Sequence, residues 1–286
     1  MSMIETDLNT EIEAILVEST RITSQETDEV REIRMVVDDP AFRAIAGQTI
    51  GVVVDGDKAF GSRPHIRRYS ITNVDSKPLE EDVEISILVR RCFYIDEFNG
   101  EQYPGVASNF LCDAQTGQKI RLTGPYKSVF RIPASSDANL LMIGTGTGIA
   151  PFRSLIQRIY QENVDWRGQV RLFYGARNGM DLLYMNDHNN DLSNYYDEET
   201  FKAFNALSER PLSDEKNALE QSISAHIDEA WELLNQPNTY VYLAGLQKTA
   251  EATDRVMTEK AGSEQAWSDL KKQLLKEGRW SEFLYN

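Results

Sequence analysis

The chain has 286 residues, which is enough for two domains with hydrophobic cores of their own. Its 45 acidic side chains outnumber the 30 Lys and Arg side chains and give a formal charge of −15, which disfavours nucleic acid and anionic membranes as partners. Two distant cysteines and three scattered histidines form no metal motif, and no apolar run has the length of a membrane span. Because the acidic first residues also lack a secretory signal, we expect a cytoplasmic protein without a metal site.

The first third of the chain is rich in short segments of Val, Ile and Tyr, separated by Gly, Pro and Asp. β-branched and aromatic residues favour strands, and the intervening residues favour turns. The predicted strands cover residues 13–23, 30–39, 48–56, 67–74 and 83–94. Many short strands at close spacing predict a small antiparallel β-barrel.

A short helix interrupts this pattern at 108–117, where Ser108 or Asn109 can cap the start and Gly117 the end. Two more strand-like segments follow at 118–126 and 128–133. The polar, turn-forming stretch PASSDAN then marks the expected domain boundary. We therefore divide the chain into a β-barrel domain at 1–135 and an α/β domain at 136–286.

The second half alternates short apolar strands with helical patterns. The predicted strands begin at Asn139, Gln169, Phe201 and Thr239, and the predicted helices cover 150–163, 214–236 and 258–278. Strands that alternate with helices predict a parallel sheet with helices on its faces.

The segment GTGTG at 144–148 lies between a predicted strand and a helix that begins near Pro151. Glycines let a backbone approach a bulky anion, and a helix N-terminus offers free N–H groups and a positive dipole end. Thr145 and Thr147 add hydroxyl groups. The spacing is GxGxG rather than GxGxxG, so the segment by itself is equally typical of a tight turn.

Two motifs in the first domain give this loop a context. The RRYS segment places Arg67, Tyr69 and Ser70 on a strand, where Arg can bind a diphosphate and a flat ring can stack on an isoalloxazine. The GVAS segment at 105–108 leads into the short helix, whose N-terminus can hold another phosphate.

In order and spacing, these three motifs resemble the plant-type ferredoxin–NADP reductase family over nearly the whole chain. The resemblance implies an FAD-binding β-barrel followed by an NADP-binding α/β domain. It implies that Arg67 contacts the FAD diphosphate, that Tyr69 stacks on the flavin and that Ser70 reaches the flavin edge near N5. Tyr94 matches the tyrosine that packs on adenine. The second phosphate segment consists of Gly105, Val106, Ala107 and Ser108, with Ala107 where plant enzymes carry Cys.

The resemblance also implies the NADP site and the catalytic positions. The pyrophosphate loop and helix start comprise Thr145, Gly146, Thr147, Gly148 and Pro151. Gly245 and Leu246 match the loop beside the nicotinamide. Tyr285, five residues after Trp280, matches the C-terminal aromatic that covers the other flavin face and yields to nicotinamide.

The chain departs from the family at two catalytic positions. Ala244 stands where the family's CGL loop has a thiol, and Phe283 stands where the family has Glu. Glu282 is adjacent, and we include it with Ser70, Tyr285 and Ala244 among the candidate catalytic residues. One extra residue, Asn286, follows the aromatic.

The site for the 2′-phosphate of NADP departs as well. Ser208 is present, but Glu209 stands where the family has Arg, and Arg210 comes one position late. Lys216 matches a later family Lys, while Ala218 replaces a Tyr. A carboxylate repels phosphate and accepts ribose hydroxyls, so NADPH is only modestly favoured and NAD remains possible.

The implied function is an FAD-dependent reductase that exchanges electrons between NADP(H) and a one-electron carrier such as ferredoxin or flavodoxin, with the enzyme expected to be a monomer. Such carriers are usually acidic, and basic side chains of the first domain can form a rim for them. The candidates are Arg63, Arg67, Arg68, Lys77, Arg90, Arg91, Lys119, Arg121, Lys127 and Arg131.

Two alternatives remain open. The chain can be the NAD(P)H-dependent reductase component of an oxygenase or epoxidase system. Its two cysteines cannot supply the four thiolates of an iron–sulfur cluster, so the cluster would belong to another protein. The replacements at 244 and 283 instead favour a flavin- or nucleotide-binding regulatory protein with weakened catalysis.

Overall fold

The computed structural model describes residues 11–56, 64–76, 82–95, 100–162, 165–176, 182–185, 192, 199–207 and 218–285. The chain forms two compact units, Met1–Ser128 and Val129–Asn286. Each unit has its own hydrophobic core.

The first unit is a closed antiparallel barrel of six strands in the order β1-β2-β5-β4-β3-β8, which confirms the predicted barrel. A small hairpin of two strands and one helix lie between the last two barrel strands in sequence. In chain order the elements are β1 (Ile12–Arg21), β2 (Val30–Val37), β3 (Thr49–Val54), β4 (His65–Ser76), β5 (Val83–Arg90), β6 (Phe93–Ile95), β7 (Gln102–Pro104), α1 (Val106–Asp113) and β8 (Lys119–Tyr126).

The barrel core follows from the strand period of two. Ile85, Ile87 and Val89 are alternate residues of β5 and are fully buried. Leu111 and Cys112 of α1 pack into the same core. The helix therefore covers the barrel beside strands β3, β4 and β5.

Helix α1 begins earlier than the sequence predicts. Gly105 is the N-cap residue, and Ser108 and Asn109 lie within the helix. Capping preference alone favoured the polar residues, but the side chains of both make tertiary hydrogen bonds instead.

The second unit is a five-stranded parallel sheet in the order β11-β10-β9-β12-β13, which confirms the predicted α/β architecture. Helices cover both of its faces. In chain order the elements are β9 (Asn139–Thr145), α2 (Ile149–Gln157), β10 (Val170–Ala176), β11 (Phe201–Leu207), α3 (Ala218–Ala225), α4 (Ile227–Leu234), β12 (Thr239–Leu246), α5 (Gln247–Ala261), α6 (Glu264–Lys276) and β13 (Trp280–Tyr285).

The prediction of a strand at 128–133 is wrong. This segment has no strand structure, and Phe130 is instead buried against the rings of Phe152 and Tyr242, at 5.3 and 4.9 Å between centroids. The Tyr242 hydroxyl donates to the Arg131 carbonyl at 2.6 Å. The apolar residue at position 130 thus contributes to tertiary packing and does not belong to a strand. The segment before the expected domain boundary at 135/136 therefore already packs within the second unit.

Three helix predictions also change in detail. Helix α2 starts at Ile149, one residue before the predicted range and close to Pro151, directly after a single 3-10 turn at Gly146–Gly148. Within the described residues, the helix predicted at 214–236 consists of α3 and α4. The helix predicted at 258–278 consists of the end of α5 and of α6, because Gly262 adopts a left-handed conformation (φ 81°) that ends α5.

The edge strand β13 has no counterpart in the sequence predictions. Its residues WSEFLY do not alternate between apolar and polar, so the period of two was absent. Among the described residues, no helix is both long and apolar enough to cross a membrane.

Thr123 gives a test of the barrel packing. Its hydroxyl is buried and has no hydrogen-bond partner among the described residues, and a Cβ added at Gly51 would lie 2.4 Å from it. A buried unsatisfied hydroxyl costs about 1–3 kcal/mol, so Thr123→Val is expected to raise the melting temperature by about 2–4 °C per kcal/mol gained.

The matched control for this prediction is Thr72→Val on β4. Thr72 is equally buried, but its hydroxyl donates to the Ser86 carbonyl at 3.1 Å, so the same substitution should lower the melting temperature. Equal destabilisation by both variants in differential scanning calorimetry would show that the Thr123 hydroxyl is satisfied.

Candidate functional site

In the barrel unit, the RRYS residues lie on β4 beside β3. Tyr69 pairs with Ile50 and packs against the barrel core, and Arg67 pairs with Val52 on the same face. Burial raises the pKa of the Tyr69 hydroxyl above its usual range, and the Arg67 charge opposes this shift. The Cys92 and Cys112 thiols also act on this hydroxyl, so Tyr69 lies near α1.

Ser70 takes the opposite face of β4. It is largely buried and pairs with Thr49, which pairs on its other side with Tyr126 of β8. Arg68 lies over the Tyr126 ring at 4.0 Å. The four-residue motif therefore presents two groups to one face of the strand and two to the other.

Arg67 is a cation without an acidic partner among the described residues. The N-terminus of α1 likewise has no side-chain cap. A charged side chain and a helix N-terminus that lack internal partners are complementary to a bound anion.

The segment at 105–108 is held by its own hydrogen bonds. The Ser108 hydroxyl donates to the Gly105 carbonyl at 3.3 Å and accepts from the Cys92 N–H at 3.2 Å. Ala107 is buried, whereas Val106 is half exposed. In this arrangement Ser108 shapes the turn, and the backbone N–H groups of the helix start are what an anion can reach.

Tyr94 lies on the β6–β7 hairpin and is 56% exposed. Its ring stacks on Tyr103 with centroids 5.5 Å apart. Phe93 and Ile95 are also exposed, but they flank Tyr94 on β6 and therefore lie on the opposite face of the strand. The stacked rings of Tyr94 and Tyr103 form a flat surface of the kind on which a base can stack.

In the second unit, the glycines of the GTGTG segment have different roles. Gly144 and Gly148 are required by packing, since an added Cβ would lie 2.8 Å from the Phe152 ring and 2.4 Å from the Ala244 carbonyl, respectively. Gly146 has φ 54° and nothing within 4 Å of the position of a Cβ. Gly146 is therefore where the loop presents open space.

Two tyrosine hydroxyls donate hydrogen bonds to carbonyl groups of this loop. The Tyr174 hydroxyl donates to the Gly146 carbonyl at 2.8 Å, and the Tyr285 hydroxyl donates to the Thr145 carbonyl at 3.5 Å. The Thr147 hydroxyl lies 2.8 Å from the Tyr285 hydroxyl. Because no side chain caps the 3-10 turn or α2, the loop directs N–H groups and not carbonyls to a ligand.

Gly245, at the end of β12, approaches the same loop. It has φ 142°, and an added Cβ would lie 2.6 Å from the Thr145 hydroxyl. That hydroxyl is 2.8 Å from the Thr249 hydroxyl in the first turn of α5. Leu246 follows and is partly exposed, so the β9 and β12 ends form one edge of the sheet.

Ala244 and Phe283 are register partners on β12 and β13. Directly opposed residues share one face, so the two positions that depart from the family lie side by side. Phe283 contacts Tyr285 edge-on at 6.4 Å between centroids. A methyl and a phenyl group thus lie together where the resemblance implies a thiol and a carboxylate.

Glu282 lies on the other face of this sheet. Its carboxylate accepts from the Trp280 indole at 2.6 Å and pairs with Lys271 at 3.1 Å. The structure therefore does not bring Glu282 to Tyr285 and Thr147, and the carboxylate cannot substitute for Glu at position 283 without a shift of the strand.

Comparison with known proteins places these two units in a family. Residues 142–255 match the family model described as the oxidoreductase NAD-binding domain. The chain is 34% identical over 245 residues to the chloroplastic leaf isozyme 1 of ferredoxin–NADP reductase from Oryza sativa subsp. indica, covering 84% of this chain and 67% of that protein. It is 32% identical over 262 residues to ferredoxin–NADP reductase from Spirulina sp, covering 89% and 88%.

The chain belongs to the ferredoxin–NADP reductase family. A solved ferredoxin–NADP⁺ reductase from Plasmodium falciparum shares the fold, with TM-score 0.69 over 98% of this chain and 99% of that one at 20% identity. The resemblance seen in the motifs is confirmed, and with it the enzyme class and the cofactor pair FAD and NADP.

The described residues fit both cofactors of a ferredoxin–NADP reductase. Arg67, Tyr69 and the N-terminus of α1 suit the diphosphate and ring of FAD, and the Gly146 turn with the N-terminus of α2 suits a dinucleotide diphosphate. Ser208, Arg210 and Lys216, which we expect near the 2′-phosphate, lie outside the described residues.

Sequence reasoning missed the residues that hold these segments in place. Asn109, Tyr174 and Thr249 carry no recognisable motif, because their roles depend on contacts between distant elements. The sequence indicates Asn109 only as a possible cap of the short helix, which is a different role.

Thiol labelling tests the packing of α1. Burial raises the pKa of the Cys112 thiol to about 11, so at about pH 8 this thiol is neutral as well as enclosed. Ellman's reagent should therefore modify Cys92 first in the native protein, and Cys112 only when α1 opens. In urea both thiols should react at once, and in Cys92→Ser the fast phase should vanish; a persisting fast phase would mean that α1 does not cover Cys112.

Proposed function

We propose that this chain is an FAD-dependent reductase that exchanges electrons between NADP(H) and a one-electron carrier, ferredoxin or flavodoxin. The observation that carries the proposal is the combination of two helix starts that have no side-chain cap among the described residues: α1 on the barrel that carries Arg67 and Tyr69, and α2 behind the Gly146 turn. A dinucleotide donor and a dinucleotide flavin require two such sites in one chain.

Each of the residues at these sites has its own role in binding or catalysis. Arg67 and the α1 amides hold the FAD diphosphate, Tyr69 orients the flavin ring, and Tyr94 packs on the adenine. The Gly146 turn and the α2 amides hold the coenzyme diphosphate. A bound FAD would supply the chemistry of hydride acceptance from a nicotinamide and of one-electron release to a carrier. Ser70 supplies the hydroxyl for the proton at flavin N5, and Tyr285 yields its place to nicotinamide.

The pairing of Ala244 with Phe283 predicts slow hydride transfer. We expect Ala244→Cys to raise the rate of flavin reduction by about tenfold, or about 1.4 kcal/mol, with a further gain from Phe283→Glu. Stopped-flow reduction of the bound flavin by NADPH measures this rate.

The matched control is Glu282→Gln, which alters a carboxylate on the opposite sheet face and should leave the rate unchanged. The same experiment with NADH decides the coenzyme, for which we retain a modest preference for NADPH. A rate that falls in Glu282→Gln and does not rise in Ala244→Cys would overturn the assignment of these positions.

The partner surface is smaller than the count of basic residues implies. Four of the ten candidates, Arg90, Arg91, Lys119 and Arg121, are paired with acidic side chains of the barrel unit. Arg63 and Lys77 lie outside the described residues. Lys127 is exposed, has no acidic partner among the described residues, and follows Tyr126 beside the strand pair that carries Ser70.

We therefore expect Lys127→Glu to weaken ferredoxin binding several-fold and more than Lys119→Glu, which makes the same charge change at a side chain already paired with Glu13. Titration by calorimetry at low salt and at about 0.5 M salt measures both effects. Binding that is indifferent to salt and to Lys127→Glu would contradict an electrostatic rim.

One observation supports a second function. The joint loss of polar groups at positions 244 and 283 favours a flavin- or nucleotide-binding regulatory protein with weakened catalysis. Diaphorase activity with an artificial acceptor separates an enzyme from a regulatory protein: turnover no faster than free flavin would favour regulation.

A second test concerns the electron acceptor. If the enzyme is active but transfers no electrons to ferredoxin or flavodoxin, the alternative of an oxygenase reductase component replaces the main proposal.

A further inference from the structure

Arg91 lies directly after β5, and its guanidinium group contacts three acceptors. Nε donates to Glu29 at 2.6 Å, one terminal nitrogen donates to the Asn109 side-chain oxygen at 2.9 Å, and the other donates to Asp113 at 2.8 Å. Arg91 is mostly buried, with 18% of its side chain exposed. A planar guanidinium can satisfy three acceptors in fixed directions, whereas an ammonium group cannot do so with the same geometry.

This contact determines the orientation of the Asn109 amide. Because Arg91 donates to its oxygen, the amide nitrogen faces the other way and donates to two carbonyls, that of Cys92 at 2.8 Å and that of Gly105 at 2.9 Å. Gly105 is the N-cap residue of α1, and its N–H donates to the same Cys92 carbonyl at 2.8 Å.

At the start of α1, hydrogen bonds therefore hold the nearby carbonyl groups, while the first N–H groups stay available to a ligand. The Asn109 side chain donates to both carbonyls, and the Ser108 hydroxyl donates to that of Gly105. Among the described residues, no side chain caps the first N–H groups of α1. Exposed carbonyl oxygens would repel a phosphate at this position, whereas exposed N–H groups attract it.

We propose that Arg91 is a positioning residue for the FAD diphosphate and acts through Asn109; this inference rests on the proposed FAD-dependent function. Arg91 does not act by its charge, because Glu29 and Asp113 compensate it. The Asn109 amide that Arg91 orients adds a second donor to the Gly105 and Cys92 carbonyls, which already accept from the backbone N–H groups of Asn109 and Gly105. This second hydrogen bond fixes both carbonyls away from the phosphate next to the adenosine.

The test is flavin binding to the apoprotein of the full chain, measured by quenching of flavin fluorescence. Arg91→Lys keeps the charge and loses the three-way geometry, so the FAD dissociation constant should rise by about tenfold or more. Asn109→Ala should have a similar effect. The double variant should be no weaker than Asn109→Ala, because the two residues act in series.

FMN separates positioning from general loosening of the fold. FMN lacks the second phosphate and the adenosine, so its dissociation constant should stay within about twofold of wild type in both variants. The control Arg34→Lys makes the same change at another barrel arginine that bridges two acids, Glu18 and Glu84, and should leave both flavins unaffected.

Several outcomes would overturn the inference. Equal losses for FAD and FMN would indicate a merely structural role, and additive losses in the double variant would show that Arg91 does not act through Asn109. An FAD affinity that Arg91→Lys preserves would indicate a charge effect or no effect. If the wild-type apoprotein binds no FAD at all, the proposed function itself fails, so that failure is distinguishable from failure of the Arg91 assignment alone.

Discussion

The polarity of the starts of α1 and α2 is the main constraint on this protein. Neither start has a side-chain cap among the described residues, which is also true of α4 and α5. The free N–H groups of a helix start attract an anion, and carbonyl oxygens that point the same way oppose this attraction. At α1, Asn109 and Ser108 bind the carbonyls of Gly105 and Cys92. At α2, Tyr174 and Tyr285 bind the carbonyls of Gly146 and Thr145. The two sites use different side chains for the same electrostatic purpose.

This arrangement links the C-terminal strand to the coenzyme loop. Tyr285 belongs to the edge strand β13, yet its hydroxyl lies against Thr147. Since Phe283 and Ala244 are register partners on that strand pair, a change in one of these positions alters the surroundings of the other. The two positions at which the resemblance implies a departure from the ferredoxin–NADP reductase family therefore lie together at one sheet edge, and both carry apolar side chains.

The distribution of charged side chains also affects which ligands and partners the chain can bind. A formal charge of −15 suggests a repulsive surface, but many arginines of the barrel form ion pairs with acidic residues on adjacent strands. Exposed pairs of this kind contribute little to stability. These ion pairs matter for recognition, because Arg67 and Lys127 have no acidic partner among the described residues and so can meet anionic ligands and partners.

The sequence by itself determined the class of the fold and the family, and it located the segments that we propose bind phosphate. Strand and helix periodicity are local properties, and the motifs RRYS, GVAS and GTGTG consist of neighbouring residues. Local patterns could not predict β13, whose residues lack alternation, or the packing of Phe130, which was mistaken for part of a strand. Tertiary structure alone decided that Glu282 pairs with Lys271 on the far face, that Ala244 meets Phe283, and that Asn109 orients the start of α1. These contacts join residues from separate elements, and only the pairing of strands and the packing of helices bring such residues together.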